Sequence, residues 1–257
     1  QKNRLLKSIS AKYQYSANGF EFGFGGGYGD RAPSVSEGYG FYLFNSSEKY
    51  DYVGNPNLKN ESSLEANAFA AFKNEKITVK LSSSYFHISD YIVGKVIGGL
   101  VPMTIGGKGV KQYGSLDYAT IFNADLNTQV QLFSFLKWNS QFTYARGKDY
   151  SKENLPFMSP LSYRSALQFY KNKLSAEFSV FGNSRYRDFA AVYGETETPD
   201  YTIFNVNAGY QFSFNGMKVL TKIGVENIFD RIYTTYADWN KIPRPGRNFY
   251  LNLNLNF

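Results

Sequence analysis

The chain ends on FYLNLNLNF, Phe249 to Phe257, where apolar and polar side chains alternate almost without a break. Successive side chains of a β-strand point to opposite faces, so this stretch predicts a strand with one apolar and one polar face. The apolar face suits either the core of a soluble sandwich or the lipid side of a membrane barrel. In a barrel the asparagines would face the interior. This strand alone does not distinguish between the two.

The composition narrows the class of protein. The 257 residues include 22 Tyr and 23 Phe but no Cys, which excludes a disulfide framework and thiolate metal sites. The formal charge of +7 permits attraction to anionic ligands, although outer-leaflet lipopolysaccharide is also anionic. The longest nearly apolar run, Val96 to Gly107, contains Gly and Pro and is shorter than the roughly 20 residues that a spanning helix needs. A helical membrane protein is therefore excluded.

The alternation recurs along the chain and predicts about eleven strands. The run 122–132 is long enough to cross a bilayer when tilted. The predicted strands are 9–15, 20–24, 64–72, 77–81, 122–132, 138–144, 165–169, 174–180, 204–212, 219–225 and 249–257.

The connections between these strands alternate between short turns and long segments. Short turns lie at Asn18-Gly19, 73–75, 134, 171–173 and 215–216, whereas the long segments are 30–62, 94–117, 146–160, 183–200 and 230–246. Outer-membrane barrels have brief periplasmic turns and longer extracellular loops, and a soluble sandwich has no such segregation. The predicted fold class is thus all-β, a transmembrane antiparallel barrel. An odd number of strands cannot close with both chain ends in the periplasm, as single-chain bacterial barrels do. The chain is therefore expected to be part of a larger barrel, since its first and last strands would otherwise be open edges in lipid.

Two motifs resemble those of a known family. The stretch RAPSVSEGYGFYLFNSSEKYDYVGNPNLKNE, Arg31 to Glu61, resembles the Arg-x-Pro-Ser, Glu and Gly-Asn-Pro-x-Leu-x-x-Glu run of TonB-dependent outer-membrane receptors. The stretch GVENIFDRIYTTYADWNKIPRPGRNFYLNLNLNF, Gly224 to Phe257, is similar to the carboxyl-terminal signature of the same family. The two motifs occur in the right order, and the resemblance covers essentially the whole chain.

The resemblance implies a 22-stranded barrel filled by an amino-terminal plug, in the outer membrane of a Gram-negative bacterium and crossing it many times. Residues 1–257 would be the carboxyl-terminal part of that barrel, with the plug, the TonB box and the first barrel half absent from this chain. Phe257 resembles the terminal signal read by the barrel assembly machinery. The resemblance implies no cofactor and no nucleic-acid partner.

The expected function is uptake of a scarce nutrient with energy relayed by TonB. The expected ligand is an iron–siderophore complex, with cobalamin, copper or haem as alternatives. A passive porin or a surface-adhesion barrel is the second class of function. We do not expect an enzyme, because His87 is the only histidine and no catalytic constellation or multi-histidine metal site accompanies it.

Ligand contacts are expected in the long loops. Aromatic faces together with cations suit anionic, aromatic metal chelates. The alternative is that the Tyr and Trp residues form an interfacial girdle and that the arginines brace the loop or the plug. The candidate residues are Arg31, Tyr39, Tyr42, Phe44, Tyr50, Tyr52, Trp239, Arg244 and Arg247.

Overall fold

The computed structural model describes residues 3–214, 217–238 and 241–256. A five-residue helix, α1 (Val35–Tyr39), and a short 3-10 helix (Ala191–Tyr193) lie among the strands. In chain order the strands are β1 (Ser8–Ala17), β2 (Phe20–Arg31), β3 (Leu43–Asn45), β4 (Tyr50–Val53), β5 (Glu61–Lys73), β6 (Ile77–Ser89), β7 (Ile92–Ile97), β8 (Gly109–Ser115), β9 (Tyr118–Phe133), β10 (Leu136–Asp149), β11 (Ser162–Lys171), β12 (Leu174–Asn183), β13 (Tyr201–Phe214), β14 (Met217–Glu226) and β15 (Asn248–Asn256).

Eleven strands form one antiparallel sheet in the order β1-β2-β5-β6-β9-β10-β11-β12-β13-β14-β15. Each neighbour in this sheet is the next long strand in the sequence, as in an up-and-down barrel wall. The eleven predicted strands are confirmed, although most of them extend further than the alternation indicates. The glycine-rich run 23–29, for example, continues β2 to Arg31.

The sheet has an apolar outer face and a polar inner face. Leu126 on β9 lies between Leu81 of β6 and Phe142 of β10 on the outer face. The adjacent Asn127 lines a concave inner cavity of about 690 Å³, together with Lys80 and other polar residues. The alternation read from the sequence therefore corresponds to two physically different faces.

The connections lie at two opposite ends of the sheet according to their length. Asn18 and Gly19 form a tight turn with φ values of 51° and 81°, which is typical of a two-residue hairpin between twisted strands. The other end carries loop 1 (32–60), loop 2 (90–117), loop 3 (150–161), loop 4 (184–200) and loop 5 (227–247). The segregation predicted from the sequence is present, with the turn 215–216 outside the described residues.

Loops 1 and 2 contain a second sheet that the sequence analysis does not predict. Its order is β3-β4-β8-β7, and β4 pairs with β8 in parallel. Tyr52 and Lys111 are neighbours across that parallel pair. The strands are short, so alternation within each one is too brief to predict them.

The main sheet is open at both sides among the described residues. Strand β1 pairs only with β2, and β15 pairs only with β14. An unpaired edge exposes a row of backbone donors and acceptors. Separately, none of the helices in the described ranges is long and apolar enough to cross a membrane.

The two faces predict opposite responses to a charge. We expect Leu126→Arg to reduce the assembled protein in the membrane, because an arginine on the lipid face near the midplane costs about 2–4 kcal/mol. Asn127→Arg, one position along the same strand, serves as the matched control and should assemble normally. The measurement is the amount of heat-modifiable, folded protein in outer-membrane fractions. Equal losses for both variants would contradict the assignment of the faces.

Candidate ligand-binding mouth

The five loops pack together over the inner side of the sheet at its loop end. A buried cluster, here called the mouth core, consists of Val93, Leu116, Ala119, Leu155, Ala190 and Tyr193. These residues come from loops 2, 3 and 4 and from β7 and β9, and Ile121 of β9 packs against them. The mouth therefore has its own apolar core, attached to the wall of the sheet.

Lys111 of β8 is the most unusual residue of the mouth because its side chain is fully buried. Its ammonium group donates to Glu48 Oε1 at 2.7 Å, to the carbonyl of Tyr193 at 2.6 Å and to Tyr52 Oη at 3.3 Å. The hydroxyl of Tyr52 in turn donates to Glu48 Oε2. An ammonium group has three donors, so Lys111 is completely satisfied by three partners on two other loops.

The electrostatics of this network follow from its burial. Burial lowers the pKa of Lys111, while the adjacent Glu48 carboxylate acts in the opposite direction. Burial and the negative charge of Glu48 also raise the pKa of Tyr52. The ring of Tyr50 adds a cation–π contact, with the Lys111 nitrogen 4.7 Å from its centroid.

Three further hydrogen bonds extend the network to the barrel wall and to the other loops. The hydroxyl of Tyr193 donates to Asp149 Oδ2 at the end of β10, at 2.7 Å. Glu195 accepts from the backbone N–H of Phe157 in loop 3 at 2.6 Å and from that of Ala190 in loop 4 at 2.9 Å. Loops 3 and 4 and the wall are thus connected through hydrogen bonds that begin beside Lys111.

Loop 5 joins the same assembly through Lys241. Its ammonium group donates to Thr198 Oγ1 at 2.6 Å and to the carbonyl of Glu197 at 3.2 Å. A small cavity of about 40 Å³ separates Lys241 and Tyr236 of loop 5 from Glu48 of loop 1. All five loops consequently meet around one centre.

Asp51 of β4 holds the outer part of loop 2. Its fully buried carboxylate accepts from the backbone N–H groups of Met103 and Thr104, at 2.6 and 2.9 Å, and from Thr104 Oγ1 at 2.6 Å. Burial alone would raise the pKa of Asp51, but these hydrogen bonds outweigh it and lower the pKa. The segment around Met103, which is 68% exposed, is therefore held in place by one carboxylate.

The family motif of loop 1 forms a clamp at the base of the mouth. Arg31 donates to Glu61 at 2.5 Å and makes a two-pronged contact with Glu37 at 2.9 and 3.0 Å. Ser34 caps α1 in a capping box with Glu37, and the other oxygen of Glu61 accepts from the backbone N–H of Ile92 at 2.6 Å. The guanidinium of Arg31, proposed above as a ligand contact, is thus engaged by two carboxylates.

The predicted aromatic contacts of loop 1 divide into two groups. Tyr39 and Phe44 are 66% and 40% exposed, and Tyr42 is half-buried. Tyr50 and Tyr52 instead surround the Lys111 ammonium group. Of these residues Tyr39 and Phe44 are the most accessible, together with Phe41, which is 69% exposed, whereas Tyr52 is buried.

The predicted contacts of loop 5 have intramolecular partners. Arg244 forms a two-pronged ion pair with Asp238, and Arg247 donates through Nε to the carbonyl of Ile228 at 2.8 Å. Trp239 lies outside the described residues, as does Phe257. These contacts agree with the bracing alternative for both arginines, and half of the Arg244 side chain still faces solvent.

Sequence reasoning does not identify Glu48, Lys111 and Asp51. The only available signal is that charged residues stand beside Tyr and Val in the stretches 48–53 and 108–113, which also fits an ordinary exposed strand. Among the described residues, no group of three or more His, Cys, Asp or Glu side chains could hold a metal ion.

The fold and the loop motif define the class of protein. A family model described as TonB dependent receptor-like, beta-barrel matches residues 2–228, so the chain belongs to this family. Barrels of the family lie in the outer membrane and cross it many times with strands. The resemblance inferred from the two sequence motifs is confirmed. No curated protein matches the sequence of the chain.

Several solved receptors share this architecture. The copper transporter OprC is 21% identical with a TM-score of 0.79, over 95% of this chain and 38% of that chain. The siderophore receptor PirA from Pseudomonas aeruginosa is 20% identical with a TM-score of 0.69, over 96% of this chain and 41% of that chain. A mutant ferric enterobactin receptor from the same organism, in complex with enterobactin, is 18% identical with a TM-score of 0.73, over 96% and 40%. The chain thus spans about two fifths of the receptors whose fold it shares.

We expect that loss of the buried ion pair between Lys111 and Glu48 destabilises several loops at the same time. In Lys111→Met the carboxylate of Glu48 remains buried without its cation, which costs about 3–5 kcal/mol. We expect faster amide hydrogen exchange in the stretches 43–53, 92–115 and 191–195, with little change in β9 to β12. Lys108→Met, an exposed lysine of the same loop, is the control. The double variant Glu48→Gln with Lys111→Met should recover part of the protection against exchange, because it no longer buries an unpaired charge. Exchange at the wild-type rate in Lys111→Met would contradict the role of this ion pair in holding the loops.

The lowered pKa of Asp51 predicts an acid-sensitive loop 2. A carboxylate whose folded-state pKa is depressed stabilises the fold at neutral pH, and this contribution is lost as the pH falls through the folded-state value. We expect the protection factors of the Met103 and Thr104 amides to decrease as the pH falls below about 4. Asp51→Asn should remove this pH dependence and reduce the protection at neutral pH. A wild-type protection factor that is constant between pH 7 and pH 3 would contradict this role.

Proposed function

We propose that the chain is the carboxyl-terminal half of a 22-stranded outer-membrane barrel and that the complete receptor imports a scarce nutrient with energy from TonB. The open edges of β1 and β15 support the first part, because an unpaired strand edge is not stable in lipid. The eleven strands of the main sheet are half of the proposed number. The remaining strands and the plug would belong to the rest of the receptor.

The single observation that carries the proposed uptake function is the interlocked mouth. Long loops of a pore that only conducts have no need for a shared core, whereas a ligand-binding surface benefits from pre-organisation. Here a buried ion pair, the mouth core and hydrogen bonds from Glu195 and Lys241 hold all five loops together. The mouth is consequently built to present a defined surface.

The exposed side chains of that surface suit the binding of an iron–siderophore complex. The exposed rings of Tyr39, Phe41 and Phe44 offer flat apolar contact area. Arg244 is half exposed while its paired Asp238 is buried. The solvent-facing part of the Arg244 guanidinium therefore adds positive charge at the same end of the sheet. Copper, haem and cobalamin remain the competing ligands. A passive porin or an adhesion barrel would need no energy from TonB.

Growth on single nutrient sources tests this function. We expect a deletion strain to lose growth on one ferric siderophore as sole iron source, and a strain without TonB to show the same loss. Growth that depends on haem, copper or cobalamin instead would change the proposed ligand but leave the proposed uptake function intact. Uptake that persists without TonB would favour the passive channel and overturn the proposal.

The exposed aromatics give a sharper prediction. We expect the double variant Tyr39→Ala with Phe44→Ala to weaken binding of the identified chelate at least about tenfold, because aromatic contacts dominate such interfaces. Phe249→Ala, an outer-face residue of β15, is the matched aromatic control. Binding is measured with radiolabelled chelate on whole cells and is normalised to the amount of surface receptor. Unchanged affinity in the double variant would exclude these two rings from the site.

A further inference from the structure

Two cations lie on the lipid-facing side of β10 near its loop end. In the register of β10 and β9, Arg146 is opposite Phe122 and Lys148 is opposite Thr120. Phe122 belongs to the outer face that also carries Leu126, because residues four apart on a strand share one side. The intervening Gly147 faces inward, since a side chain there would meet Leu155. Arg146 and Lys148 therefore point away from the mouth.

Neither cation has an acidic partner within the described ranges 3–214, 217–238 and 241–256. The ion pairs among the described residues involve other basic residues. The outer-facing positions of the two adjacent strands, β9 and β11, carry no Asp or Glu. On the outer face of β2, the carboxylate of Asp30 is already engaged by the hydroxyl groups of Tyr28 and Ser62. Two positive charges consequently remain unneutralised on a surface that contacts lipid.

Their depth corresponds to the level of the headgroups. The rings of Phe122 and Tyr144 lie 6.4 Å apart beside Arg146, and His87 stacks on Tyr118 at 4.9 Å nearby on the same face. Such aromatic girdles mark the boundary between hydrocarbon and headgroups. Long basic side chains at this level extend their charge into the headgroup layer.

We propose that Arg146 and Lys148 form a binding site for the phosphate groups of an anionic outer-leaflet lipid, namely phosphorylated lipid A. This inference rests on the outer-membrane location within the proposed function. Residues two apart on a strand are roughly 7 Å apart, so the two cations contact one headgroup together. The planar guanidinium of Arg146 takes a phosphate by two parallel hydrogen bonds, and the ammonium of Lys148 adds a compact charge.

Native mass spectrometry of the full-length receptor in a non-ionic detergent tests the site. Bisphosphorylated lipid A is added, and the bound lipid is counted. The double variant Arg146→Gln with Lys148→Gln should retain about tenfold less lipid A than the wild type. The charge-preserving variant Arg146→Lys with Lys148→Arg should retain most of it. Heat-modifiability confirms that every variant is folded.

Matched controls separate this site from general charge attraction. Lys80→Gln with Arg164→Gln removes the same charge from the inner cavity wall and should leave lipid A retention unchanged. Dephosphorylated lipid A should not be retained, and equimolar inorganic phosphate should not displace lipid A. Equal retention by the wild type and the Arg146/Lys148 variant, an equal loss in the inner-wall variant, or failure of either ligand control would overturn the proposal.

The lipid measurement is independent of nutrient uptake. Normal uptake together with unchanged lipid retention in the Arg146/Lys148 variant would overturn this site and leave the proposed function intact. Absent uptake in the wild type, together with lipid retention that depends on the two cations, would overturn the function and keep the site.

Discussion

The mouth depends on one constraint, which is that a buried ammonium group must have acceptors for all of its protons. Lys111 takes two of them from loop 1 and one from loop 4, at sequence separations of up to 82 residues. Folding of loop 2 onto the receptor is therefore inseparable from the positions of two other loops. The contacts of Asp149 and Glu195 then transmit this arrangement to the wall and to loop 3.

The sequence predicts the barrel wall well because a single local rule governs it. A strand in lipid needs an apolar residue at every second position, and the pattern is visible without knowledge of any partner. The residue types at the tight turns, such as Asn18 and Gly19, then predict where one strand ends and the next begins. Strand ends are less certain because the polar or glycine-rich stretches near the loops, such as Gly25 to Arg31, carry no apolar alternation.

The mouth is far harder to predict, since its decisive contacts join residues that are distant in the sequence. Lys111 stands in a short polar stretch and pairs with Glu48, 63 positions away. Tyr50 and Tyr52 were expected to contact a ligand because of their residue type, yet their rings surround the lysine. Arg31 shows the opposite case, in which the motif itself contains the two glutamates that engage it.

The parallel pairing of β4 with β8 has an evolutionary consequence. Inserting one residue within either strand would reverse the faces beyond it, which would place Lys111 on the same side as Asp51 instead of beside Tyr52. Surface loops normally tolerate changes in length, but here one such change would separate Lys111 from its three acceptors and leave the buried carboxylate of Glu48 without its cation. The mouth can therefore diversify by exchange of exposed side chains such as Tyr39 and Phe41, whereas an insertion or deletion within the loop sheet would disrupt the contacts of Lys111.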